Sequence, residues 1–208
     1  MEKSVKEANK IKMQYIIKNL QKRNMAGYYC ETAEEARKTI RSLIDEGAVV
    51  SWGGSATLDE LDIKKDFSNV IDATTAPPEK MYDERRKTLT ADVYLTSTNA
   101  VTMDGELVNI DGIGNRVAAM CFGPKKVIVV AGANKITKDE CAAIARIKTD
   151  ACPPNCIRLG KKTPCAVTGT CGECLKSGQT ICSYTVTTRF NAIPDRIHVI
   201  LVNESLGF

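Results

Sequence analysis

The chain has 208 residues, of which 43% are hydrophobic and 26% charged, and its formal net charge is +4. This composition is typical of a globular domain, and no apolar run approaches the roughly 20 residues that a membrane-spanning helix needs. Residues 1–25 carry seven Lys or Arg and two acids, so the net charge of the remainder is about −1, which argues against a nucleic-acid footprint across the chain.

The N-terminal segment predicts an amphipathic helix over residues 4–24. Its apolar side chains recur at helical spacing, at Met13, Ile16, Ile17 and Leu20. We interpret this stripe as a docking or dimer-forming surface beside a solvated basic face; contact with a membrane surface or a nucleic acid is the alternative. The segment lacks the apolar core of a secretory signal. With nine cysteines in the chain, we expect a reducing, cytoplasmic location.

The next segment predicts a capped helix, then a strand and a tight turn. Thr32 and Glu35 have the spacing of a capping box, and Gly47 suits the end of the helix. A strand over residues 48–52 then leads into Gly53-Gly54-Ser55. This turn either offers backbone N–H groups to an anion or is a plain strand-to-helix connection capped by its serine.

The central stretch, residues 95–132, predicts a hairpin followed by a polar, glycine-rich loop. Asp104-Gly105 separates two strand-like runs, which predicts a type I′ turn. The loop, residues 111–116, precedes a short helix over residues 117–121 and a buried strand over residues 127–131. Because binding groups concentrate in loops held by a rigid scaffold, this loop is a candidate binding segment.

The last third of the chain predicts one more capped helix and a cysteine-rich insert. Thr137 and Glu140 have the spacing of a second capping box. Apolar periodicity is lost from about residue 150 to 184, and we interpret this segment as a loop-rich insert. The final strand, residues 197–202, contains His198, the only histidine, for which a structural role is expected.

Six cysteines between residues 152 and 182 predict a metal site. The predicted ligands include one pair with a two-residue spacer, and four thiolates suit zinc or an iron–sulfur cluster: Cys165, Cys171, Cys174 and Cys182. The spacing does not decide between the two metals. Cys152 and Cys156 form a second pair, which we keep outside the principal site although one of them could replace a ligand. Unliganded or redox-active thiols are the alternative.

Other catalytic constellations are missing from the sequence. With a single histidine inside a strand, no Ser/His/Asp triad can be built, and no Walker A motif is present. The loop over residues 111–116 lacks the third glycine of the dinucleotide fingerprint, so no nucleotide cofactor is predicted. The catalytic residues are therefore left unassigned.

Apolar strands alternate with capped helices along most of the chain. This alternation predicts an α/β fold with a mainly parallel sheet flanked by helices, to which the hairpin adds an antiparallel element. We expect one domain over residues 1–208, including the N-terminal helix and the cysteine-rich insert.

Several short motifs follow one another along the chain: Ser51-Trp52-Gly53-Gly54-Ser55 with Thr57-Leu58, then residues 96–100, residues 111–116, Phe122-Gly123-Pro124, Thr163-Pro164-Cys165 and residues 202–208. In this order they resemble the LUD-domain family, the lactate-utilisation proteins of the LutC/YkgG type. The resemblance implies a NagB/RpiA/CoA-transferase-like fold. It also implies participation, with iron–sulfur partner subunits, in the oxidation of lactate to pyruvate.

The residues and the resemblance together predict a binding site on two loops. Both loops follow apolar strands, and ligands of open α/β sheets bind beyond the carboxyl ends of the strands. The predicted residues offer N–H, hydroxyl, amide and guanidinium groups to an anion. They are Gly53, Gly54, Ser55, Thr57, Asn99, Asp111, Gly112, Gly114, Asn115 and Arg116, of which Thr57 is included because of the resemblance. The rival interpretation is structural, with Asp111 and Asn115 capping the next helix and Arg116 in an ordinary ion pair.

Two functions remain open. In the first, the protein takes part in lactate oxidation with iron–sulfur oxidoreductase subunits; whether it has activity alone is undecided. In the alternative, it binds a small anionic metabolite on a CoA-transferase-like scaffold, and the cysteine insert holds a structural zinc. A homo-oligomer is compatible with either function, and no nucleic-acid partner is expected.

Overall fold

A computed structural model describes residues 2–175 and 178–208. Its strands are, in chain order, β1 Ala26–Cys30, β2 Val50–Trp52, β3 Val70–Asp72, β4 Val93–Ser97, β5 Ala100–Thr102, β6 Leu107–Asp111, β7 Lys126–Gly132, β8 Ile136–Thr137, β9 Tyr184–Thr188 and β10 Ile197–Val202. Its α-helices are α1 Lys3–Lys22, α2 Ala33–Ser42, α3 Ala56–Glu60, α4 Met81–Lys87, α5 Asn115–Cys121, α6 Glu140–Arg146, α7 Cys152–Arg158 and α8 Pro164–Thr168. Shorter helical turns are Ile63–Asp66, Thr88–Thr90, Ala133–Lys135 and the π-helical Ile147–Ala151.

The larger sheet is parallel throughout and has the strand order β1-β10-β7-β4-β2-β3. In its centre, Ile128 of β7 pairs with His198 of β10 on one side and with Leu95 of β4 on the other. The central strands are continuous apolar runs because helices or the second sheet cover both of their faces. The prediction of an α/β fold with a mainly parallel sheet flanked by helices is confirmed.

Two apolar layers cover the faces of this sheet. On one face, α1 and α5 pack against a layer that includes Val127 and Val129. On the other face, α2 and α3 pack against a layer that includes Ile128 and Val130. Because successive residues of a strand point to opposite faces, β7 contributes alternately to both layers.

The N-terminal helix is part of the first layer. It begins at Lys3 and ends at Lys22, two residues before the end that the sequence predicts. Met13, Ile16 and Leu20 are completely buried against the larger sheet. The apolar stripe therefore docks on the chain's own core. No helix in the described part of the chain is both long and apolar enough to cross a bilayer.

The smaller sheet has the strand order β8-β5-β6-β9, and β5 and β6 form the predicted hairpin. The expected type I′ turn is wrong, because Gly105 has a φ of +84° whereas Asp104 does not have a positive φ. The turn instead runs from Thr102 to Gly105, whose N–H donates to the Thr102 carbonyl at 2.9 Å. A Cβ at position 105 would lie 2.9 Å from the Leu20 nitrogen, so the end of α1 also restricts this turn to glycine.

The capping box predicted at Thr137 is also wrong. Thr137 lies in β8 and pairs with Thr102 of β5, which holds it in an extended conformation. Asp139 caps α6 instead, and its carboxylate accepts the Ala142 N–H at 2.9 Å. The helix therefore starts after a short strand that the sequence pattern did not reveal.

Candidate functional site

A cavity of about 610 Å³ opens beyond the carboxyl ends of β2, β4 and β7, where the loop after β6 forms part of its wall. Nine of the ten predicted binding residues line it: Gly53, Gly54, Ser55, Thr57, Asn99, Asp111, Gly112, Asn115 and Arg116. The tenth, Gly114, precedes α5 with a φ of +82°, a conformation that glycine adopts without strain. The structure thus brings both predicted loops to one cavity at the edge of the sheet where α/β proteins bind ligands.

The first loop is shaped by local packing. Ser55 caps α3, since its hydroxyl accepts the Leu58 N–H at 3.3 Å. A Cβ at Gly53 would lie only 3.0 Å from the Tyr94 hydroxyl, so this position has little room for a side chain. Burial raises the pKa of Tyr94 to about 12, which keeps its hydroxyl protonated beneath the loop.

The Arg116 guanidinium is held by the protein's own groups. Within the described chain it donates to four acceptors, which are Ser97 O, Asn99 Oδ1, Asn109 Oδ1 and Ile110 O. Asp111 Oδ1 lies 3.5 Å from Arg116 Nε, and Asp111 Oδ2 accepts the N–H groups of Arg116 and Val117 at the start of α5. This arrangement is the one that the structural interpretation expected for Asp111 and Arg116. Arg116 fixes the wall of the cavity.

Asn99 connects the wall to both sheets. It follows β4, and its Oδ1 accepts the Ile110 N–H of β6 at 3.0 Å. Its own N–H donates to Asn109 Oδ1 at 3.2 Å, and its carbonyl accepts from Arg146 at 2.7 Å. The two sheets are therefore joined by hydrogen bonds directly behind the cavity.

Sequence reasoning missed Lys135, a buried cation at the inner end of the cavity. It lies in the helical turn after β7, and only 4% of its surface is exposed. Its Nζ donates to Thr57 Oγ1 at 2.7 Å and to Ser97 Oγ at 2.9 Å. A signal was available, because Lys135 follows the carboxyl end of an apolar strand as the predicted loops do.

The surroundings of Lys135 lower its pKa to about 7. Burial is the largest cause, because an ammonium group loses its hydration there, and the positive charges of Arg146 and Arg116 add to the effect. The charge of Glu60 opposes them with a smaller contribution. A strongly perturbed amine in a cleft is typical of a functional site.

Positive charge dominates the lining of the cavity. Among the side chains of its described residues there is one acid, Asp111, against five basic groups: Arg85, Arg116, Lys135, Arg158 and Lys161. Arg158 donates to the neutral Asn155 Oδ1 at 2.7 Å. A cleft lined by one sign of charge concentrates ligands of the opposite sign, so this cavity favours anions.

The cysteine-rich segment contains α7 and α8 and is therefore more regular than predicted. Two pairs of its cysteines are in contact: the Sγ atoms of Cys152 and Cys182 are 3.4 Å apart, and those of Cys156 and Cys165 are 3.6 Å apart. The cysteine pair that we kept outside the predicted metal site thus contacts two of the predicted ligands. Cys152 also lines the cavity.

The other two predicted ligands, Cys171 and Cys174, are half-buried. Gly172 between them packs on Pro164, where a Cβ would lie 2.8 Å from the proline Cβ. Thiolates suit zinc or iron. However, the described residues contain no group of three or more His, Cys, Asp or Glu side chains arranged to hold a metal ion. The predicted ligands are not preassembled there, and the metal stays a prediction.

The fold and the cavity define an α/β protein with a cavity lined by basic side chains at the carboxyl edge of its parallel sheet. A family model described as the LUD domain matches residues 13–202, and the chain belongs to this family. At the level of the family, it is a lactate-utilisation-like protein.

Among solved structures, the chain is similar to a DUF162 family protein from Deinococcus radiodurans, with a TM-score of 0.54 and 13% sequence identity. The match covers 93% of this chain and 98% of that chain, and at this identity it establishes the fold alone. No curated protein matches the sequence.

Proposed function

We propose that this protein acts in lactate utilisation in the cytoplasm and binds a small 2-hydroxy or 2-oxo carboxylate in the cavity. Iron–sulfur partner subunits would accept the two electrons that the oxidation of lactate to pyruvate releases. Membership of the LUD-domain family supports the pathway. The observation that carries the ligand class is the excess of basic side chains over the single acidic side chain among the described lining residues.

The charge distribution supports an anionic ligand, and a carboxylate is the anion that lactate and pyruvate carry. Arg116 is engaged by backbone and side-chain oxygens, so it contributes a fixed positive field. Arg85 and Lys161 also lie in the lining and add positive charge to it. A carboxylate entering the cavity therefore meets positive charge along its path, and at low ionic strength such a field accelerates association.

The test is calorimetric titration with lactate, pyruvate and the uncharged analogue lactamide. Arg85→Gln and Lys161→Gln each neutralise one charge of the lining. Arg86→Gln and Lys162→Gln are their controls, because each changes the next residue in the chain, which is not among the lining residues. We expect each lining variant to weaken carboxylate binding by about tenfold, which corresponds to about 1.4 kcal/mol. Equal binding of lactamide, or equal effects of lining and control variants, would contradict the proposal.

The alternative function, a stand-alone binding protein with a structural zinc, has one observation in its favour. The sulfur pairs Cys152–Cys182 and Cys156–Cys165 connect α7 and α8 with the segment before β9, as a structural staple would. Metal and sulfide analysis after anaerobic purification separates the two functions. Iron with sulfide favours electron transfer, and zinc without sulfide favours the staple.

A further inference from the structure

We infer that Lys135 is an amine nucleophile that forms a reversible imine with the carbonyl carbon of a 2-oxo acid bound in the cavity. The inference rests on the proposed function for its anionic ligand, and it adds a covalent step. Neither the family match nor the similar structure assigns a role to this residue.

The first support is the position of the amine. Lys135 is buried yet belongs to the lining of the cavity. Its two hydrogen-bond partners, Thr57 Oγ1 and Ser97 Oγ, are uncharged. Thr57 Oγ1 can itself donate to Leu206 O at 3.3 Å and Ser97 Oγ to Thr98 O at 3.2 Å, so both hydroxyl oxygens can present lone pairs to the amine. Two N–H groups are thus held in place, which leaves the remaining tetrahedral position of the nitrogen for a ligand.

The second support is the charge state of the amine. An exposed lysine is protonated at neutral pH and has no lone pair with which to attack a carbonyl. Burial and the neighbouring Arg146 and Arg116 bring the pKa of Lys135 to about 7, so a large fraction is neutral at that pH. Desolvation and an adjacent cationic group are the two means by which lysines that form Schiff bases are activated.

The chemical step balances without another reactant. The nitrogen lone pair attacks the carbonyl carbon, the C–N bond forms, and the carbonyl electron pair moves to oxygen, which takes a proton. Loss of water then gives the C=N bond, and both amine hydrogens leave with that water molecule. Thr57 and Ser97, which accept those N–H groups in the free protein, are placed to pass the protons. Hydrolysis reverses the sequence and releases the 2-oxo acid.

A plain electrostatic role for Lys135 makes a different prediction. A lysine that only attracts a carboxylate would bind lactate and pyruvate alike and would form no covalent bond with either. An imine requires a carbonyl group, which pyruvate has and lactate lacks. Reduction with borohydride converts an imine into a stable secondary amine and therefore distinguishes the two roles.

The experiment treats the full chain with pyruvate and borohydride, and the modified lysine is located by peptide mass analysis. The wild type should carry one reduced adduct on Lys135, and lactate should give none. Lys135→Arg keeps the positive charge but should lose the adduct, whereas the control Lys138→Arg, at an exposed position, should behave like the wild type. Trapping at Lys135 should reach half its maximum near the pKa of about 7, well below the range of exposed lysines.

The outcomes separate the imine from the binding site. If pyruvate binds in the calorimeter but Lys135 is not labelled, the imine is wrong and the anion site stands. Equal labelling of many lysines, or labelling that persists at other positions in Lys135→Arg, also overturns the imine. If neither binding nor labelling occurs, both the imine and the proposed carboxylate-binding function are wrong. Near-wild-type melting of Lys135→Arg shows that its loss of labelling reflects lost chemistry and not lost folding. If Lys135→Arg melts early, Lys135→Met, which also lacks the amine, serves as the second variant under the same melting criterion.

Discussion

At the scale of single residues, Lys135 should make the free energy of unfolding depend on pH in a specific way. Its folded pKa of about 7 is below the ordinary lysine value of 10.5, so between these pH values the unfolded chain binds more protons than the folded one. The free energy of unfolding should therefore rise with pH in this window, by at most about 1.4 kcal/mol per pH unit from one group. Below pH 7 both states are protonated, and this contribution stops changing.

Lys135→Met should remove this dependence. Urea unfolding at several pH values between 6 and 10 measures it, with Lys138→Met as the control for an exposed lysine. The wild type and the control should gain stability with rising pH relative to Lys135→Met. Parallel stability curves for all three proteins would show that Lys135 is not desolvated in the way we describe.

Arg116 belongs to the same scale, and its effect is on stability. Arg116→Ala removes the donor of four hydrogen bonds and leaves Asn109 and the carbonyls beside it without their partner. We expect the free energy of unfolding to fall by about 3 kcal/mol. Arg116→Lys should restore little of this stability, because an ammonium group cannot reproduce the planar arrangement of N–H donors in a guanidinium group. Chemical denaturation measures both variants. Arg189→Ala, at a largely exposed position, is the control, and an Arg116→Ala loss as small as that of Arg189→Ala would contradict the described network.

At the scale of elements, α1 offers a matched pair of isoleucines. Ile16 is completely buried against the larger sheet, whereas Ile11 on the same helix is 61% exposed. Ile16→Ala should lower the free energy of unfolding by about 2 to 5 kcal/mol through lost burial and a cavity. Ile11→Ala should change it by less than about 0.5 kcal/mol, as exposed substitutions do. Similar losses would mean that the helix does not dock through this face.

The cysteine-rich segment is the second element with a testable property. The sequence predicts that Cys171→Ser with Cys174→Ser loses the bound metal and makes residues 150–184 sensitive to protease, because metal binding would supply much of their order. Cys121→Ser with Cys141→Ser, two exposed cysteines outside the segment, is the control. Metal content near that of the wild type in the first variant would remove Cys171 and Cys174 from the ligand set. The sulfur pairs of Cys152 and Cys156 would then become the next ligands to test.

At the scale of the whole molecule, the cavity couples the two sheets. Its lining includes the loops after β2, β4 and β7 of the larger sheet and the loop after β6 of the smaller one, together with residues of α4 and α7. A ligand that binds only the folded state should therefore stabilise both sheets together. At a concentration of 100 times Kd, the expected gain in unfolding free energy is about 2.7 kcal/mol.

Thermal unfolding monitored by circular dichroism measures this gain. Lactate and pyruvate should raise Tm in a concentration-dependent way, and lactamide and sodium chloride at matched concentrations should not. The shift should disappear in the Arg85→Gln and Lys161→Gln double variant. A shift of the same size with chloride would indicate a general ionic effect in place of a carboxylate site.

Much of the fold could be predicted because its signals are local. Strand runs such as residues 127–131 and the apolar stripe of α1 depend on periodicity within a few residues, and the structure has both elements. The sequence also indicated where the two predicted loops begin, since each comes directly after a strand: one follows β2 of the larger sheet, and the other follows β6 of the smaller sheet. The predictions failed where a partner distant in sequence overrode the local signal. The capping box at Thr137 failed because β5 pairs with this residue in β8, and the type I′ turn failed at Gly105, which packs against the end of α1.

The chemistry of the site was decided by tertiary structure. Lys135 and Thr57 are 78 residues apart in sequence, and Lys135 and Ser97 are 38 apart, so no local pattern reveals their contact. The sequence by itself determined which residues are available: the glycine-rich loops, the cations and the clustered thiols. Only the folded chain decided that the Arg116 side chain donates to the Ile110 carbonyl, that Lys135 is buried near two other cations, and that the sulfur of Cys182 contacts that of Cys152. Charge state and hydrogen bonding depend on the neighbours in space, and in this protein those neighbours come from distant strands.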